Sequence, residues 1–72
     1  MIKEIKVGQE ICVKDCNIEC LVEIIKISSE VVYYIYLSSP SLILNMTFCR
    51  TLEKFYTKII DKTPEEYKLE HL

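Results

Sequence analysis

The sequence predicts a small, mainly β domain: a curled five-stranded barrel with a short C-terminal helix. Three observations carry that prediction. Apolar side chains recur at period two in "IECLVEI" and "LILNMTF", the repeat of a strand with one buried face. Between two serine pairs lies "VVYYIYL", rich in β-branched and aromatic residues. Inside the long segment Ile18 to Ile27 the alternation changes phase, which marks a bulge or a sharp bend. A long, bent second strand is what lets a small barrel curl on itself.

The chain has 72 residues, enough for one domain, 1–72, with one small core. Gly8, the lone glycine, opens a turn, because glycine reaches positive φ without steric cost. Ile11 and Val13 then share one face of a short first strand. Lys14 to Asn17 is a turn, with Asp15 and Asn17 able to bond their own backbone. In the second strand Ile18, Cys20, Val22 and Ile24 point one way, and Glu19, Leu21 and Glu23 the other. Ile25 and Ile27 follow the phase change. "SSE" leads into the third strand, Val31 to Leu37, and "SSPS" ends it, since Pro40 cannot join a central ladder. The fourth strand is expected over Leu42 to Phe48, with Leu42, Leu44, Met46 and Phe48 on its core face. "RTLEKFYTKII" has two readings. Leu52, Phe55, Tyr56 and Ile59 have helical spacing, while a single helical turn over Thr51 to Phe55 followed by a last strand Tyr56 to Ile60 fits the β-branched and aromatic cluster. The second is preferred, placing the barrel over about residues 5–60. The helix, about 64–71, has the clearest start signal: Thr63 as N-cap, Pro64 at the first helical position, Glu66 completing a capping box, and Tyr67 facing inward.

Composition narrows the functional classes. Half the residues are hydrophobic, which excludes a disordered tail and is high for a chain that buries only roughly 60% of its unfolded surface. That excess points to a partner or to self-association. Nine basic and eleven acidic residues give a net charge of −2 with the signs interspersed, so phosphate attraction needs a local patch. Alanine is absent, and residues with GC-rich codons are scarce, as in genes of AT-rich bacteria, phages or mobile elements. No apolar run is long enough to span a bilayer and no apolar segment follows the N-terminus, so a cytoplasmic protein is expected. In that compartment Cys12, Cys16, Cys20 and Cys49 are reduced thiols. Their spacing lacks the tight pairs of structural zinc sites, and they read as small hydrophobes holding no metal. The one histidine, His71, lies beside the C-terminus, and no nucleophile–base or two-carboxylate arrangement is evident. Neither a catalytic role nor a cofactor is expected.

The third strand raises the functional question, because both of its faces are apolar. If Val31, Tyr33, Ile35 and Leu37 face the core, then Val32, Tyr34 and Tyr36 form an outer stripe. Tyrosines carry contact area at small entropic cost and are enriched at interfaces. The stripe is covered either by the C-terminal helix or by a partner. Arg50, the lone arginine, has a planar fork that suits a carboxylate or a phosphate, or an ion pair with a neighbouring acid. Val32, Tyr34, Tyr36 and Arg50 are the candidate partner-binding residues, with Lys26 and Glu30 on their rim.

Two resemblances add to this reading. "FCRTLEKFYTKI" is similar to the closing segment of short uncharacterised bacterial and phage proteins with an SH3-like small barrel. There an aromatic stands two residues before the arginine, as Phe48 does here, and Leu and Phe follow as Leu52 and Phe55 do. Thr51 stands where that family usually has proline. The resemblance implies a binding module. "KVGQEICVKD" and "VEIIKI…VVYYIYLSSP" resemble the opening and central strands of the carbon storage regulator, a dimeric RNA-binding translational repressor. Here Ile5 replaces that family's usual arginine, and Arg50 lies ten residues beyond Pro40 instead of close after it. The sequence thus leads to a non-catalytic binding module with an SH3-like barrel, a phage- or mobile-element-encoded regulator or inhibitor acting on a protein partner or as a homodimer. A dimeric RNA-binding regulator is the alternative.

Overall fold

A two-residue turn starts the sheet. Cys16 and Asn17 both have positive φ, 51° and 65°. That is the I′ pattern, whose twist matches the strands it joins. It pairs β1 (Glu10–Asp15) antiparallel with β2 (Ile18–Ser28), with Asp15 opposite Ile18 and Ile11 opposite Val22. A second tight turn, with Ser29 at φ 53°, pairs β2 with β3 (Val31–Ser38). β4 (Thr47–Thr51) returns alongside β3, with Cys49 opposite Tyr33. The computed structural model describes residues 4–38 and 46–71. Among these, four strands form one antiparallel sheet in the order β1-β2-β3-β4.

The phase change in β2 is a bulge. Its register with β3 slips between Ile24 and Lys26, and again between Leu21 and Val22. The slip lets Ile24 and Ile27 both pack on the same core, while Ile25 is left exposed. Gly8 has φ 89°, and its N–H donates to Ile24 O, which ties the turn before β1 to β2.

Helix α1 (Leu52–Lys58) follows β4 directly, with Thr51 Oγ1 accepting from Lys54 N at 3.3 Å. The helical reading of this segment is therefore the correct one, and the expected strand Tyr56 to Ile60 is not formed. The helix runs on through Lys58 and turns Phe55 onto the sheet, where it is 1% exposed, with Leu52 and Ile59 packed against the same core. Beyond α1 the backbone pairs with β1 at the Val13–Ile59 bridge and through the Ile60 N–H, which donates to Cys12 O. The sheet is open, so neither the fifth strand nor the closed barrel expected from the sequence is present among the described residues. Helix α2 (Pro64–Glu70) has the predicted cap, with both halves of the capping box made and Pro64 in the first turn.

The main core lies between the bent sheet and α1: Ile11, Val13, Cys20, Val22, Ile24, Val32, Tyr34, Tyr36 and Phe55. On the other side of the sheet Tyr67 of α2 covers Cys12 and Leu21. The predicted phases of β1 and β2 agree with these two faces, except that Ile18 is exposed at the hairpin end. The predicted phase of β3 is reversed. Val32, Tyr34 and Tyr36 point into the core, and Val31, Tyr33, Ile35 and Leu37 lie outside. Pairing decides this, because Tyr34 sits opposite Ile24 and Phe48, both core residues. The fourth strand lies later than expected. Phe48 does pack against the core, Met46 is 54% exposed, and Leu42 and Leu44 fall outside the described residues.

Candidate functional site

Three of the four residues singled out in the sequence meet in one hydrogen-bonded network, turned inward. Val32 and Arg50 are opposite each other in the β3–β4 register, and Tyr34 and Tyr36 follow on the same face. Val32 is fully buried, while Tyr34 and Tyr36 are 2% and 6% exposed. They are core residues, so the expectation that they form an outer contact stripe is corrected. Their rings form an aromatic stack. Tyr34 lies 5.1 Å from Phe55 and 5.8 Å from Tyr36 between centroids, and Tyr36 lies 5.1 Å from Phe48.

The hydroxyls of this stack reach a cluster of charges. Arg50 Nε donates to Tyr34 Oη at 2.9 Å, and Arg50 Nη2 donates to Asp15 Oδ2 at 3.1 Å. Tyr36 Oη donates to the same carboxylate oxygen at 3.4 Å, and Lys58 Nζ donates to Oδ1 at 3.1 Å. Arg50 thus makes the ion pair that was one of its two expected roles. Asp15 joins the hairpin turn to β4 and α1, so the network braces the open end of the core. Lys58's hydrogen bond, aided by the Arg50 charge and only partly opposed by desolvation, holds the Asp15 carboxyl below its ordinary range. Burial pushes the Tyr36 phenol upward, and it remains a protonated donor. One carboxylate faces two cations, and all three side chains keep about a quarter to a third of their exposure. Asp15 and Lys58 were not identifiable as members, since they lie 35 and 43 residues from their partners and no local pattern links them.

The α2 side contains a second constellation. Lys62 Nζ bridges Glu19 and Glu70 at 2.6 Å each, fastening α2 across the end of β2. Tyr67 Oη lies 3.1 Å from Ser38 Oγ and donates to Glu19 O at 3.3 Å. The Cys12 thiol is buried and donates to Thr63 O at 3.5 Å, and burial raises its pKa, which lowers its nucleophilicity. It borders a groove of about 470 Å³ between β1 and the segment around Ile60 and Pro64. The cysteine spacing does not gather thiols: Cys12 and Cys20 are buried on opposite faces of the sheet, while Cys16 and Cys49 are exposed.

The third surface is the outer face of β3. Val31, Tyr33 and Ile35 are half-buried and Leu37 is 37% exposed, in one row. Lys26 lies across this row, with Nζ 5.5 Å from the Tyr33 centroid. Glu23 is opposite Ile35, and Thr47, Cys49 and Thr51 of β4 border the other side. α2 reaches this face at its Leu37–Ser38 end, where Ser38 meets Tyr67. No helix among the described residues is long and apolar enough to cross a membrane. No family model, no curated protein and no solved structure matches the chain.

Proposed function

We propose that the protein is a non-catalytic binding module for a protein partner, with the outer row Val31, Tyr33, Ile35 and Leu37 as its contact surface. The observation that carries this reading is the second apolar face of β3. One face suffices for the core, and the other leaves Val31, Tyr33 and Ile35 half-buried and Leu37 exposed, with α2 meeting the row at its Leu37–Ser38 end. Such a row favours association with an apolar protein surface. Lys26 and Glu23 beside it carry both signs of charge, which orients a protein partner and suits a polyanion poorly. The net charge of −2 argues the same way.

The fold reading extends to an SH3-like barrel short of closure. Four antiparallel strands in sequential order, a bent second strand, a helical turn after the fourth, and a return of Ile59 to β1 support that relationship. The role is that of a cytoplasmic regulator or inhibitor of the kind phages and mobile elements encode, acting by occupying a surface of its target.

The test is affinity recovery of the tagged protein from its host, with Tyr33→Ala and Ile35→Glu alongside. A stoichiometric protein, recovered by the wild type and lost by both folded variants, supports the reading. Recovered RNA in its place would favour the dimeric RNA-binding alternative. Global unfolding by both variants would show that the row is core.

A further inference from the structure

We infer that the outer edge of β4 pairs antiparallel with β4 of a second copy of this chain, about a twofold axis at Cys49. This inference rests on the backbone of the edge and stands apart from the proposed role of the β3 face.

The two edges of the sheet differ. β1 is protected, because Ile59 bridges Val13 and the Ile60 N–H bonds Cys12 O. β4 is the last strand in the order β1-β2-β3-β4, and no strand among the described residues pairs with its other side. Soluble proteins blunt such an edge with lysine, proline, a bulge or an inward-pointing charge. "TFCRT" has no lysine and no proline, and its register with β3 runs without a slip from Thr47 to Thr51. Its one inward-pointing charge, Arg50, is already neutralised by Asp15 and bonded to Tyr34, so it presents no unpaired charge to an added strand.

The direction of the edge groups follows from the ladder. Leu52 N–H donates to Glu30 O at 2.7 Å, so that position bonds across to β3. In an antiparallel pair, bonded and non-bonded positions alternate. Arg50 and Phe48 therefore bond to Val32 and Tyr34, and the N–H and C=O groups of Cys49 and Thr47 point away from the sheet.

The sequence of the strand fits a copy of itself. Antiparallel pairing centred on Cys49 puts Cys49 opposite the partner's Cys49 and Thr47 opposite the partner's Thr51. Phe48 comes opposite the partner's Arg50. No like charges face each other, and a Thr–Thr pair and an Arg–aromatic pair are both favourable across strands. The outward-directed groups of Cys49 and Thr47 are those that this register bonds. The row Tyr33 and Ile35 of each copy would then continue across the axis as one surface. A five-residue edge buries less than a standard interface, so the dimer is concentration-dependent.

Sedimentation of the whole chain under reducing conditions, over a series into the high-micromolar range, tests this. The wild type should self-associate. Cys49→Pro removes only an outward N–H, which an edge strand tolerates, and Cys49→Lys sets two like charges opposite each other on the axis. Each should weaken the dimer roughly tenfold or more, with circular dichroism unchanged for the lysine variant. Cys16→Ser at the hairpin tip should leave association intact. A wild type that stays monomeric across the series, or a folded Cys49→Lys that associates like the wild type, overturns the inference.

Discussion

Tyr34 offers the sharpest test of which face of β3 is inside. Two substitutions separate its contributions. Tyr34→Phe keeps the ring in the stack with Phe55, Tyr36 and Phe48 and removes the hydroxyl that accepts from Arg50 Nε at 2.9 Å. A hydrogen bond to a charged group contributes about 1.5–3 kcal/mol. Arg50 keeps 31% of its side-chain exposure and can turn to water, which brings the expected loss down to roughly 1 kcal/mol. Tyr34→Ala also empties the ring's place at a position 2% exposed. Loss of a buried aromatic costs about 3–5 kcal/mol, including the cavity. A 72-residue domain has a total stability of roughly 4–11 kcal/mol, so the alanine variant should be largely unfolded at moderate urea, while the phenylalanine variant shifts its midpoint modestly. Urea titration followed by circular dichroism, with the slope checked for two-state behaviour, measures both. Arg50→Met, alone and combined with Tyr34→Phe, should show non-additivity, because the two changes remove one shared bond. A Tyr34→Ala midpoint within about 0.5 kcal/mol of wild type would place Tyr34 on the surface and refute the assignment of the core face.

Acid should weaken the brace at Asp15. Its folded pKa lies below the unfolded value, so its contribution is present above the ordinary aspartate pKa of about 3.9 and is lost as pH falls through the folded value. Asp15→Asn should lower stability at neutral pH and flatten that part of the acid limb, as read from urea midpoints between about pH 2 and 6; an unchanged acid limb would show that the carboxylate is not held by Lys58 and Arg50. At the hairpin tip Cys16 takes φ 51°, a conformation that asparagine tolerates better. Cys16→Asn should therefore raise stability by about 0.5–1 kcal/mol, and a lower thermal midpoint would count against a left-handed residue there.

The local elements were legible in the order of the residues alone. Two-residue turns, a glycine at positive φ, the bulge in β2 and the capped α2 are set by neighbours a few residues apart, and their chemistry is written in Gly8, Asn17, the Ile24–Lys26 phase change and Thr63–Glu66. The identity of the chemically distinctive residues was also legible, since Tyr34, Tyr36 and Arg50 do act together. Which way they point was settled by packing between distant segments. "VVYYIYL" is apolar on both faces, so its own pattern cannot choose between them, and a shift of one residue exchanges the faces. The choice came from Phe55, which α1 carries onto the Tyr34 side, and from Ile24 and Phe48 on the neighbouring strands. The segment after β4 was ambiguous for the same reason: helix and strand both bury some of Leu52, Phe55 and Ile59, and packing against the sheet selected the helix. Closure likewise depended on contacts distant in sequence. Whether Ile59 and Ile60 extend into a fifth strand or touch β1 at one bridge is fixed by where α1 ends and α2 begins, and α2 is held in place by Lys62 reaching Glu19 across 43 residues.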